Sequence, residues 1–218
     1  QWSSDQAIWH IDEVNPILKK YENNLIPSST KDTTIFFPLC GKTVDMLYFL
    51  EKGYNVIGVE GVETVILEYL NENSLKYDVL NIEHDGAELK VFVSGKLTLV
   101  CGNYFSTGPL KPNSGIPDYA TKKADAVFDR GSMMAILPEL VDNYAKVLHR
   151  WVRSDGKVLL YAPEFDQSLR AGPPYSLSEK QINQAYKDIA NPEILETAIG
   201  KLFELENVKH RIWLINFH

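Results

Sequence analysis

Apolar positions along the chain fall into short continuous runs separated by stretches of three- and four-residue spacing. The runs Thr34 to Leu39, Val56 to Glu60, Ala124 to Asp129 and Lys157 to Tyr161 read as buried strands. Leu89 to Val93 and Lys96 to Cys101 flank Ser94-Gly95 and predict a hairpin. Val14, Ile17, Leu18, Tyr21 and Leu25 give one apolar face to a helix from about Glu13 to Asn24. Further helices are expected from just after Gly41 to about Lys52, near Val62 to Asn73, from Pro138 to Val152, and from Ser178 to about Ile189. Thr43 is placed to cap the first of these and Gly53 to end it, while Ser178-x-x-Gln181 is a capping box. Ile194 to Ala198 and Ile212 to Phe217 supply a closing antiparallel pair. The alternation predicts an α/β fold: a mostly parallel seven-stranded sheet with helices on both faces. It forms one domain over residues 1–218, with a loop insertion at 106–122 rich in Pro, Gly, Ser and Asn.

The first strand-to-helix turn carries the most chemistry. Thr34 to Leu39 ends in Pro38-Leu39-Cys40-Gly41, and the next strand closes on Glu60. Gly41 lets backbone approach a ligand, and an acid about 20 residues further on suits the two hydroxyls of a ribose. Gly41-Lys42-Thr43 is not a triphosphate loop, because the pattern needs glycine where Phe36 stands. The dinucleotide G-x-G-x-x-G also fails, since Gly41 stands alone, leaving no room for a pyrophosphate. A ribose-bearing ligand without phosphates, such as S-adenosylmethionine, fits the pattern. A turn glycine and a surface glutamate in an unrelated α/β domain fit it equally.

Charge and composition narrow the field. With a net charge of −7, nucleic acid is a poor substrate, because phosphate neutralisation needs a basic face. No apolar run reaches the roughly 18 residues of a membrane helix and no signal peptide is visible, so a cytoplasmic location and no membrane partner are expected. Cys40 and Cys101, the two cysteines, are expected to be reduced thiols. The five histidines show no ligand spacing, which predicts no metal.

Phe36-Phe-Pro-Leu-Cys-Gly-Lys-Thr-Val-Asp-Met46, Val56-Ile-Gly-Val-Glu60, Phe128-Asp-Arg-Gly131 and Gly172-Pro-Pro-Tyr175 together resemble the thiopurine S-methyltransferase family, over nearly the whole chain. The resemblance implies a Rossmann-like methyltransferase fold that uses S-adenosylmethionine, acting as a monomer on a small thiol or related chalcogen substrate. It further implies an N-terminal helical lid over residues 1–30, with Trp2 covering the cofactor and Trp9 walling an aromatic substrate. Leu39, Gly41, Glu60, Asn103, Tyr104 and Arg130 match cofactor-binding positions, and Pro173 and Tyr175 match the substrate side. Arg130 is the candidate to favour a thiolate acceptor, with His10 and Asp129 relaying or orienting a proton. Cys40 as a catalytic thiol competes weakly, because it lies beside the donor rather than the acceptor. Family members carry more residues before the first tryptophan, an acidic one among them, so the natural N-terminus is expected to extend beyond Gln1. A basic residue near the C-terminus frames the substrate site in relatives, and Lys209, His210 and Arg211 occupy that region. Rival readings are a same-fold enzyme acting on halide, sulfide, selenium or tellurium species, a nicotinamide oxidoreductase disfavoured by the solitary Gly41, and an inactive S-adenosylmethionine-binding protein.

Overall fold

The computed structural model describes residues 13–27 and 32–218. Its centre is a nine-stranded sheet in the order β3-β4-β5-β2-β1-β6-β7-β9-β8. The strands are β1 (Thr34–Phe37), β2 (Asn55–Glu60), β3 (Asp78–His84), β4 (Ala87–Ser94), β5 (Leu97–Cys101), β6 (Ala124–Arg130), β7 (Val152–Glu164), β8 (Ala190–Leu202) and β9 (Leu205–Phe217). Strands β5, β2, β1, β6 and β7 run parallel to their neighbours in the middle. An antiparallel hairpin flanks each side, β3-β4 on β5 and β8-β9 on β7.

The sheet is therefore mixed and nine-stranded rather than mostly parallel and seven-stranded. Strand β3 carries little apolar pattern, its Val79, Leu80 and Ile82 diluted by Asn81 and Glu83, because the strand is largely exposed. The Asp85-Gly86 turn joining it to β4 carries positive φ at both residues, 49° and 84°. The hairpin around Gly95, the capping box at Ser178 and the closing pair at the C-terminus all form.

Helices α1 (Pro16–Leu25), α2 (Asp45–Glu51) and α3 (Glu63–Glu72) cover one face of the sheet, and α4 (Val141–Trp151) and α5 (Glu179–Tyr186) cover the other. Strand alternation divides the core between them. Phe36 stacks on Trp151 with ring centroids 4.6 Å apart, whereas Ile35 and Phe37 join Leu18, Phe49 and Phe128 on the opposite face. The 106–122 segment is more than a surface loop, since its Leu110 and Ala120 are buried in the core. Strand order reverses between β1 and β6, the switch point at which open α/β sheets leave a crevice beyond their carboxyl ends.

Candidate active site

A cavity of about 470 Å³ opens at that switch point, within the range of roughly 300–1,000 Å³ typical of small-molecule sites. Pro38 to Asp45, apart from Val44, line it after β1, Glu60 and Gly61 after β2, and Phe128 with Arg130 to Ser132 at the end of β6. Met134, Ala135, Pro173, Pro174, Phe203 and Asn15 also line it.

The turn after β1 is held in an unusual shape. Leu39 and Gly41 adopt φ of 43° and 54°, a left-handed region that costs a non-glycine residue about 1–2 kcal/mol. Two contacts hold it there. Cys40 donates its N–H to the Val59 carbonyl at 2.8 Å, and Gly41 donates to Glu60 Oε2 at 3.0 Å. Ser132 Oγ, from the turn after β6, donates to the Pro38 carbonyl and ties the two sides of the crevice together.

Glu60 is buried at the cavity floor. Its Oε1 accepts the Val62 N–H at 3.0 Å, and the Gly61 N–H also acts on the carboxylate. A carboxylate offers about four acceptor sites, leaving capacity for hydroxyl donors. Burial pushes its pKa up, and the Val62, Gly41 and Gly61 N–H groups pull it back. Glycine fits closely nearby, because a Cβ on Gly58 would lie 2.8 Å from both Cys40 Sγ and Leu99 Cδ2 and those side chains would have to shift.

Arg130 and Asp45 form the polar side. Burial lowers the Arg130 pKa, with Tyr161 and Asp45 acting in the opposite direction. Asp45, buried, accepts the Asn15 N–H at 2.8 Å on Oδ1 and the Thr43 hydroxyl at 2.8 Å on Oδ2. Burial raises its pKa against those bonds and the nearby Arg130. Nothing in the sequence reading singled Asp45 out; its signal was the Thr43-x-Asp45 spacing at a helix start.

Of the residues singled out from sequence, Leu39, Gly41, Glu60, Arg130 and Pro173 meet in this one cavity. Others lie elsewhere. Tyr104 is buried under the sheet, its ring stacked on Tyr144 at 4.8 Å and its hydroxyl donating to the Tyr144 carbonyl. Asn103 caps the 3-10 turn at 104–106 by accepting from the Phe105 N–H, and is exposed. Neither lines the cavity. Asp129 points into the core rather than the crevice, accepting the Tyr144 hydroxyl at 2.6 Å and the Met133 N–H at 3.2 Å. It fastens the turn that carries Arg130, which is a positioning geometry rather than proton transfer at the cavity. Tyr175 is likewise off the cavity wall, although its ring packs where a Cβ on Gly172 would fall. Lys209 and Arg211 both pair with Glu164, and His210 Nδ1 meets the Tyr161 hydroxyl at 2.7 Å, so none of the three lines the cavity. Trp2, Trp9 and His10 lie outside the described residues.

Cys40 lines the cavity, but burial, seconded by Glu60, raises its thiol pKa well above the ordinary value, which disfavours the reactive thiolate. Both cysteines are free thiols. Among the described residues no helix is long and apolar enough to cross a membrane.

Comparison with known proteins bears on this geometry. A model of the family described as Thiopurine S-methyltransferase matches residues 1–214. The thiopurine S-methyltransferase of Legionella pneumophila (strain Paris) is 30% identical over 197 residues, covering 90% of this chain and 82% of its own. That of Equus caballus is 29% identical over 218 residues, covering 100% of this chain and 83% of its own. Among solved structures, the 1,6-didemethyltoxoflavin-N1-methyltransferase of Burkholderia thailandensis, with S-adenosylhomocysteine bound, is similar with a TM-score of 0.57 at 14% identity. The match covers 93% of this chain and 78% of that one, and the likeness is one of fold.

Proposed function

The chain belongs to the thiopurine S-methyltransferase family, and we propose that it methylates the sulfur of a small aromatic or heterocyclic thiol. As a family member it is an S-adenosylmethionine-dependent methyltransferase. The residues present fit that donor: a buried acid with spare acceptor capacity closes β2, and a glycine turn without a pyrophosphate pattern faces it. Glu60 would hold the ribose hydroxyls, and the Leu39–Gly41 backbone would line the adenosine side. When bound, the donor supplies a methyl group already activated by the positive charge on its sulfur.

The chain's own contribution is then alignment, exclusion of water and control of the acceptor's charge. The observation that carries the thiol reading is Arg130 lining the same cavity as Glu60, Pro173 and Pro174. A thiol reacts as its anion, and a fixed cation nearby lowers the thiol's pKa without removing the proton itself. Arg130 suits this role because it stays charged even when burial disfavours it. Asp129 keeps Arg130 in place through the turn that follows β6. Phe128 and Met134 add apolar surface to the cavity.

A panel of acceptors assayed by S-adenosylhomocysteine formation tests the reading. A heteroaromatic thiol such as 2-mercaptopyrimidine should exceed iodide, sulfide and selenite in kcat/KM by at least about 100-fold, the discrimination that well-filled pockets provide. A sulfide or halide preference would overturn it.

A further inference from the structure

The cavity that holds Arg130 is also lined by an aromatic residue that the fold alone does not call for. Phe203 stands between β8 and β9, at the tip of their hairpin, and lines the cavity with Pro173 and Pro174. Its φ is 54°, a conformation that hairpin turns ordinarily assign to glycine or asparagine. It remains 36% exposed, so burial in the core does not account for it.

The ring is braced from behind. The Arg170 guanidinium carbon lies 4.6 Å from the Phe203 ring centroid, and Arg170 Nη1 pairs with the adjacent Glu204. Arg170 Nε is buried with no hydrogen-bond partner among the described residues, so the side chain is held in this place despite an unsatisfied donor. Gln167 fastens the same segment, donating to the Arg170 carbonyl at 2.8 Å and accepting the Ser176 N–H at 2.6 Å. The proline wall and the support for the ring are thereby parts of one connected unit.

We propose that Phe203 is a specificity-determining platform on which a flat aromatic acceptor stacks, and that Arg170 is the positioning residue that holds it. The inference rests on the aromatic-thiol reading above. A cation on one face of the ring draws down its electron density, which suits stacking against an electron-rich thiolate ring. A monatomic or inorganic acceptor gains nothing from such a surface.

The test is calorimetric binding of 2-(methylthio)pyrimidine, the thioether product, to the full chain saturated with S-adenosylhomocysteine. Phe203→Ala should weaken thioether binding about 5- to 10-fold, the worth of one aromatic pair. Phe203→Tyr should restore it to within about 2-fold, as expected if only the ring face matters. Arg170→Met, which keeps the apolar stem, should weaken it about 2- to 5-fold. Unchanged S-adenosylhomocysteine affinity in each variant establishes that the fold survives. Thioether binding that is equally strong in Phe203→Ala overturns this inference alone. No binding to the wild type overturns the aromatic acceptor reading and this inference with it.

Discussion

Replacing Asp129 by asparagine removes a charge from a place where burial opposes it. The carboxyl is 0% exposed, and burial pushes it up to about 6 from 3.8 against the downward pull of Tyr144, Met133 and Ser132. A raised value means that the native state binds this proton more tightly than the unfolded chain does. The stability linked to the group is thus full below about pH 4, declines as the pH rises to about 6, and is constant above that. At about 1.4 kcal/mol for each pKa unit, the displacement from 3.8 to about 6 makes about 3 kcal/mol. Asparagine is isosteric and neutral at every pH, but its NH₂ must face either the Tyr144 hydroxyl or the Met133 N–H. That mismatch costs about 1–3 kcal/mol independently of pH. Urea unfolding of both proteins at several values between pH 4 and 8 separates the two effects. Relative to wild type, the variant should gain most of this, about 2.4 kcal/mol, between pH 4 and 7 and almost nothing above it. A difference that does not change with pH would refute the reasoning, because it would mean that the hydrogen bonds outweigh burial and keep Asp129 ionised throughout.

Glu60→Ala should weaken S-adenosylhomocysteine at least about 100-fold in a calorimetric titration, the loss of two charge-assisted hydrogen bonds, while unfolding stays cooperative. Unchanged affinity would remove Glu60 from the donor site. Gly58→Ala should lower stability by about 1–3 kcal/mol through its clash with Cys40 and Leu99; a neutral thermal melt would show that these side chains shift freely. Iodoacetamide at pH 8 should modify Cys101, which is partly exposed, well before Cys40, whose thiol is buried and raised. Peptide mapping that finds Cys40 labelled first would contradict that order.

What the sequence disclosed depended on how locally each feature is encoded. The Pro38–Gly41 turn and Glu60 were legible because a glycine turn and a strand-ending acid have fixed spacing within one βα unit. The capping box at Ser178 and Gln181 was legible because both partners lie within one helical turn. Tyr104 and Asn103 do not line the cavity, and loop position does not reveal side-chain direction: Tyr104 turns under the sheet to stack on Tyr144, 40 residues away. Asp129 shares this fate, since strand alternation sends it to the core and its neighbour Arg130 to the crevice. Phe203 was invisible for a different reason, as its place on the cavity depends on how far the β8–β9 hairpin extends past the sheet. Strand β3 was missed because an exposed edge strand has little apolar pattern to read.

Sulfur as the site of methylation is tested most directly by the position of the transferred group. The full chain would be incubated with S-adenosylmethionine carrying a ¹³C-labelled methyl group and with 2-mercaptopyrimidine, whose ring nitrogens compete with its sulfur. Carbon NMR of the product distinguishes the two positions. The thiolate-stabilising role proposed for Arg130 predicts label on sulfur alone, with turnover lost in Arg130→Met while S-adenosylhomocysteine still binds. Label on a ring nitrogen, or undiminished turnover in Arg130→Met, would contradict it.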